Sequence, residues 1–318
     1  LATELKVCSS VHVVLRAGVP GNPVPISGCA DARTQADAVF QAASLTKPVV
    51  AFAALRLAQA GQLDLDAPLS RYLPQGYRHF HNPLKRSADD AHDLVPEGVL
   101  KRISVAQLLN HSAGFPNWSS GPLALASEPG KAWGYSGEGF VLLQSVIESV
   151  ARMEFAACMD QQEFAPLGMD HTSLVWRDGF EERAIQGTGA FGLRQGVRFR
   201  SALAAASMYT TAADYARFMS AFLASESLVS LTLAHPADVD GPLGLQWGLG
   251  WGIEHAPGGP YLWQWGNNPG FRAFAMASVA SRDGFVVFTN SERGMPLAAS
   301  IAQRVLPADH NAFRFSWV

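Results

Sequence analysis

Charge is scarce in this chain of 318 residues. Charged side chains make up 16% of it and leave a net charge of −3. Without a basic face the chain is a poor partner for nucleic acid, whose phosphates need one. Cysteine is scarcer still, with Cys8, Cys29 and Cys158 alone. Three scattered thiols make neither a disulfide framework nor a zinc set, so all three are expected as small buried hydrophobes. Cys8 and Cys29 flank an expected hairpin, but a turn over 18–23 does not bring them opposite each other. Long apolar runs are missing as well: none approaches the ~18 residues of a membrane span, because Gln, Glu or Arg interrupts the richest segments. There is no internal repeat and no low-complexity tract. The sequence assigns neither a compartment nor an oligomeric state.

Apolar content, by contrast, is plentiful at 48%, enough for the core of one large domain or two interleaved ones. "VHVVLRAG" (11–18) and "PVPISGCAD" (23–31) read as two strands around a turn. "SLTKPVVAFAALRLAQAGQ" reads as a helix that starts near Ser44, since Pro48 is tolerated only in a first turn, and stops at Gly61. Apolar residues at helical spacing mark 104–112, 138–153 and 211–225, the last capped by Thr210 or Thr211. The stretch 75–100, rich in His, Asp and Pro, reads as a long surface loop. Strand character returns in 261–266, 271–280 and 285–290, and a helix over 295–306 follows. Strands near both termini with helices between them predict an α+β fold. In it, an antiparallel sheet built from both ends of the chain is flanked by helices. Two regions are expected: 1–60 with 186–318 as the sheet-bearing part, and 61–185 as a mostly helical insert.

Within the first helix, "QAASLTKPVV" places Ser44 one helical turn before Lys47, so the two side chains can meet on one face. A serine hydroxyl needs a base, and a lysine with its pKa lowered by burial can serve. A helix N-terminus adds N–H groups for a developing oxyanion. On its own the pair is common, and Ser44 as a plain helix cap competes with the catalytic reading. Its context decides. "VFQAASLTKPVVAFAALRLAQAGQLDLDAPLSRYLP" (39–74), "ISVAQLLNHSAGF" (103–115), "WGYSGEGFVLLQSVIE" (133–148) and "WQWGNNPGFRAF" (263–274) stand in order along the chain. With them the sequence resembles the class C β-lactamase superfamily of penicillin-binding proteins, DD-peptidases and β-lactamase-type serine esterases, whose Ser-x-x-Lys box is a catalytic motif.

The resemblance implies Ser44 as nucleophile, Lys47 as the first-box lysine and Tyr135 as the second-box tyrosine. Alignment on Gly270 and Phe271 puts Gln264, Trp265 and Gly266 where Lys-Thr-Gly would stand. The N–H groups of Ser44 and Asn267 then form the oxyanion hole. Two departures bear on substrate. Gln264 replaces the cation that recognises a substrate carboxylate, and Gly137 replaces the asparagine that binds a substrate amide. Arg272 is a candidate to restore the missing charge, against a structural role in an ion pair. Trp133, Trp263 and Trp265 read as an apolar acyl pocket or as core. The implied substrate is a small ester or amide, with no metal and no cofactor. Carboxylic esters lead, a β-lactam or D-amino-acid peptide follows, and a catalytically silent binding or scaffold homologue is the reading from another class.

Other candidates carry less. Glu138 reads as support for the first turn of its helix rather than a deacylation base. His79, His81 and His92 with Asp89, Asp90 and Asp93 resemble a metal cluster by composition only and are expected in a solvated loop. "GYSGE" (134–138) misses the last glycine of a Gly-x-Ser-x-Gly elbow, which removes the α/β-hydrolase reading.

Overall fold

The computed structural model describes residues 1–189 and 194–318. Three strands open the chain, β1 (Ser9–Arg16), β2 (Val19–Pro20) and β3 (Val24–Ser27). A short strand β4 (Phe40–Gln41) runs into a 3-10 turn over Ala43–Leu45 and then helix α1 (Thr46–Gln59). The middle of the chain holds a hairpin of β5 (Tyr77–Phe80) and β6 (His92–Val95), then α2 (Glu97–Leu100), α3 (Val105–Leu109), α4 (Gly137–Ala151) and α5 (Phe155–Met159). Short strands β7 (Gly187–Thr188), β8 (Arg194–Gln195) and β9 (Tyr209–Thr210) lead to α6 (Ala212–Ala224), capped by Thr211, and α7 (Glu226–Ala234). Six strands follow: β10 (Ala237–Asp240), β11 (Leu245–Trp247), β12 (Gly252–Ala256), β13 (Gly259–Asn268), β14 (Phe271–Ser278) and β15 (Gly284–Thr289). Helix α8 (Met295–Val305) comes last.

The nine-stranded sheet runs β10-β11-β12-β13-β14-β15-β1-β2, with β3 also on β1, and its pairings are antiparallel. It is built from both ends of the chain, as expected, and reaches further than the sequence reading by β10, β11 and β12. Both faces are covered. Ala273, Ala275, Val286 and Phe288 join the core containing α1 and α6, while Phe274, Met276, Phe285 and Val287 join the one containing α8. Burial on both faces is why β14 and β15 read as almost continuous apolar runs instead of alternating ones. Helix α1 lies inside the molecule, buried from Thr46 to Leu55. No helix is long and apolar enough to cross a membrane among the described residues.

Two expectations are corrected here. Cys8 and Cys29 form a disulfide, with Cα atoms 4.6 Å apart. The chain turns at Ala17 and Gly18, both at positive φ, so Arg16 pairs with Val19. Beyond Gly21 the register shifts, Ser9 faces Ser27, and the next residues outward bring the two cysteines together. A turn over 18–23 had hidden this. Cys158 is a buried free thiol, as expected. The stretch 75–100 is not a structureless loop: β5 pairs with β6, with His79 opposite Asp93. Its eleven-residue connection over 81–91 is too long to leave a local hairpin signal.

Candidate active site

Ser44, where the sequence reading starts the helix, sits in the 3-10 turn that precedes α1, and the α-helix itself begins two residues later at Thr46. The turn is held on several sides. Ala42 N–H donates to Met208 O (2.8 Å), Met208 N–H to Thr46 Oγ1 (3.2 Å), and Tyr215 O–H to Leu45 O (3.1 Å). Ala43, beside Ser44, has φ +51°, a left-handed conformation that costs a non-glycine residue energy and needs such support. Strand β13 passes close against this turn. A Cβ at Gly266 would lie 2.5 Å from Ala42 O and 3.3 Å from Ala43 Cβ, so glycine is what permits the approach.

Lys47 is 1% exposed and donates from Nζ to Ser44 Oγ at 3.0 Å and to Ala205 O at 2.8 Å. Burial lowers its pKa to about 7, which makes the free amine available near neutrality. The Tyr135 ring lies under the same ammonium, its centroid 4.7 Å from Nζ. Burial raises the Tyr135 phenol above its ordinary value, while hydrogen bonding with Ser44 and Gln264 works the other way. Gln264 Nε2 donates to Tyr135 Oη at 3.1 Å and to Trp265 O at 2.8 Å. A carbonyl can only accept, so this second contact fixes which end of the Gln264 amide faces the phenol. Ser44, Lys47 and Tyr135 are thus in mutual contact, with Gln264 on Tyr135 and Gly266 against the Ser44 turn. Asn267 is exposed at the same edge of β13.

The departures from the family pattern have structural counterparts. A Cβ at Gly137 would meet the Trp118 indole at 2.6 and 2.7 Å and Asn117 O at 2.9 Å. Trp118 therefore fills the place into which a second-box asparagine would project. Arg272 is half-buried, and its Nη1 donates to Phe271 O (2.9 Å) and Asn268 O (3.2 Å), across the turn between β13 and β14. Trp263 and Trp265 are buried in the same cluster as Tyr135, Trp247 and Phe315, with Trp133 half-buried against it.

Sequence reading missed several neighbours. His111, fully buried, accepts from Ser136 N–H at Nδ1 (3.2 Å) and packs tilted against the Tyr135 ring, with centroids 4.4 Å apart. Burial first, then the nearby Lys47, holds its pKa well below the usual histidine value, so it is a neutral ring. The half-exposed Trp317 packs against Tyr135 and Trp265, with ring centroids 5.7 and 6.4 Å away. Buried Glu254 accepts from Asn311 N–H (2.6 Å) and so ties down the segment that carries it. "NHS" and "FPNW" held the local signals for His111 and Trp118, but only their contacts reveal what they do. Glu138 is in the first turn of α4 as expected. Unexpectedly it is 1% exposed, accepts from Ser119 N–H (2.9 Å) and stands 3.3 Å from His79 Nε2. His79 is equally buried, which corrects the expectation of a solvated loop.

Over 282 residues the chain is 29% identical to Esterase EstB of Burkholderia gladioli, covering 69% of this chain and 66% of that protein. The chain spans between a third and two thirds of the length of the first curated relatives it matches. Among solved structures, D-alanine carboxypeptidase AmpC from Burkholderia cenocepacia superimposes with a TM-score of 0.77 at 20% identity, covering 96% of this chain and 95% of that one. A class C β-lactamase superimposes with a TM-score of 0.78 at 16% identity, covering 96% and 92%. The Beta-lactamase family description matches residues 12–310. The chain belongs to that family.

Proposed function

We propose that this hydrolase works through an acyl-enzyme on Ser44 and that its substrates are carboxylic esters. Ser44 Oγ attacks the ester carbonyl while Lys47 Nζ, as free amine, takes its proton. The Tyr135 phenol, beside both, passes a proton on to the departing alkoxide. The N–H groups of Ser44 and Asn267 hold the oxyanion, and Gly266 supports this by letting β13 close on the Ser44 turn. Water then releases the acid by the same route in reverse. The carrying observation is the buried Lys47 amine, 3.0 Å from Ser44 Oγ. The preference for esters rests on the neutral Gln264 and on Trp118 over Gly137, which leave neither handle for an anionic amide. EstB, named as an esterase, is consistent with it. A fluorophosphonate should add one adduct, on Ser44 alone, and Ser44→Ala should lose nearly all turnover of a short-chain nitrophenyl ester. Labelling at Ser112 or Ser136 overturns the assignment. Absence of both adduct and turnover makes the chain a silent binding homologue.

A further inference from the structure

The hairpin of β5 and β6 gathers a second set of chemistry-bearing side chains. His79 and His81 are two residues apart, the spacing that puts side chains on one face of a strand. Asp93 stands directly across the ladder from His79. The contacts converge on one oxygen. His79 Nδ1 lies 2.7 Å and His81 Nε2 3.3 Å from Asp93 Oδ1, and the three donor atoms fall within 4.8 Å of one another. Three ligands around one zinc ion, at bonds of about 2.0–2.1 Å, are separated by roughly 3.3 Å. His81 Nε2 is buried and faces Asp93 Oδ1 but makes no hydrogen bond among the described residues, so a ring nitrogen is aimed into the cluster with its lone pair or proton unused. At 26% side-chain exposure for His81 and 20% for Asp93, the cluster is open to solvent on one side.

What surrounds the cluster is as informative. The other nitrogen of His79 faces Glu138, whose side chain is 1% exposed and whose Oε2 lies 3.3 Å away. A carboxylate behind a ligating histidine fixes its tautomer and orientation and raises its basicity. Each carboxylate is itself oriented by the backbone of one loop: Glu138 Oε1 accepts from Ser119 N–H and Asp93 Oδ2 from Leu123 N–H (3.1 Å). Two neutral imidazoles and two carboxylates balance the charge of one divalent cation. We propose that His79, His81 and Asp93 form a divalent transition-metal site, with Glu138 behind His79. Imidazole and carboxylate donors suit zinc. The ion would pin the β5–β6 hairpin to α4 and to the Ser119–Leu123 loop. That loop follows Trp118, the side chain over Gly137. The site is a structural clamp and takes no part in the chemistry at Ser44.

The test titrates metal-stripped protein with Zn²⁺ by calorimetry and follows the thermal midpoint. One ion should bind per chain and raise the midpoint. His81→Ala, a change at a part-exposed position, should abolish both effects. His92→Ala should leave them unchanged, since the His92 ring instead bonds Asp90 O at 2.7 Å. Glu138→Gln should weaken binding by roughly ten- to a hundredfold, the range for an outer carboxylate partner. Cobalt(II) should give the intense visible absorption of a tetrahedral site in the wild type and lose it in His81→Ala. No binding by the wild type, or equal binding by His81→Ala and His92→Ala, overturns the proposal. The cluster is then a histidine held between two carboxylates, with adventitious surface binding at most.

Discussion

A lysine held in the interior, with two hydrogen-bond acceptors and no ion-pair partner among the described residues, has its pKa lowered by burial alone, which is what the proposed base requires. That makes its behaviour with pH explicit. Lys47 has an ordinary value of 10.5 in the unfolded chain and about 7 in the fold. Between those values the unfolded chain binds a proton that the folded protein does not, so stability rises with pH across that window. The cost of burying the ammonium is full below about 7 and gone near 10.5. Catalysis shares the lower limit. The value of kcat/KM for an ester should climb through about pH 7 as the amine loses its proton, then level off. Lys47→Met should remove the alkaline rise in thermal midpoint and nearly all activity together. An activity profile flat from pH 5 to 9 would exclude Lys47 as the base. At this scale the sequence was readable for Ser44 and Lys47 because three positions on a helical turn force their neighbourhood. Trp118 over Gly137, and His79 against Glu138, were not readable, because no local spacing links residues so far apart.

At the scale of elements, the proposed catalytic side chains of Ser44 and Tyr135 are placed by segment boundaries, and Gln264 by the middle of a strand. Ser44 stands where the 3-10 turn meets α1, Tyr135 just before α4, and Gln264 on β13 beside Gly266. The long elements were legible in the sequence, α4 and α6 by their helical period and β13 to β15 as apolar strand-like runs. The short strands β10 and β11, of four and three residues, were not, since so few positions carry no period and only their pairing with each other and of β11 with β12 defines them. The disulfide was hidden for a related reason: its partners meet only once the Ala17–Gly18 turn sets the register of β3. That edge strand is mostly exposed and has little core of its own to hold it on β1. Closing a loop of 21 residues removes entropy from the unfolded chain worth about 3 kcal/mol. The double variant Cys8→Ser with Cys29→Ser should therefore unfold at lower urea by about that free energy. An unchanged midpoint would mean that the ladder between β1 and β3 suffices without the bond.

At the scale of the molecule, substrate choice follows from what converges on the site and from what is missing there. Segments around residues 44, 135 and 264 meet between the sheet and the helices, and the one cation they bring there among the described residues, Lys47, is committed to Ser44 Oγ and Ala205 O. Gln264 is neutral and its amide is already committed to Tyr135 and Trp265. Arg272 spends Nη1 on two backbone carbonyls of its own turn. The net charge of −3 works in the same direction, though salt screens it beyond about 8 Å. A β-lactam entering this site would have its carboxylate desolvated without a partner, which is a cost, whereas an ester carries no such charge. If one charged hydrogen bond of ~3 kcal/mol is the difference, short-chain esters should exceed penicillins and cephalosporins in kcat/KM by roughly a hundredfold. Gln264→Lys should narrow that gap by improving β-lactam acylation. Gly137→Asn should not, because Trp118 occupies the space its side chain needs. Efficient cephalosporin hydrolysis by the wild type that collapses in Arg272→Ala would reverse the conclusion. Arg272 would then leave its turn to meet the substrate, and the charge missing from position 264 would be supplied from the far end of the same hairpin.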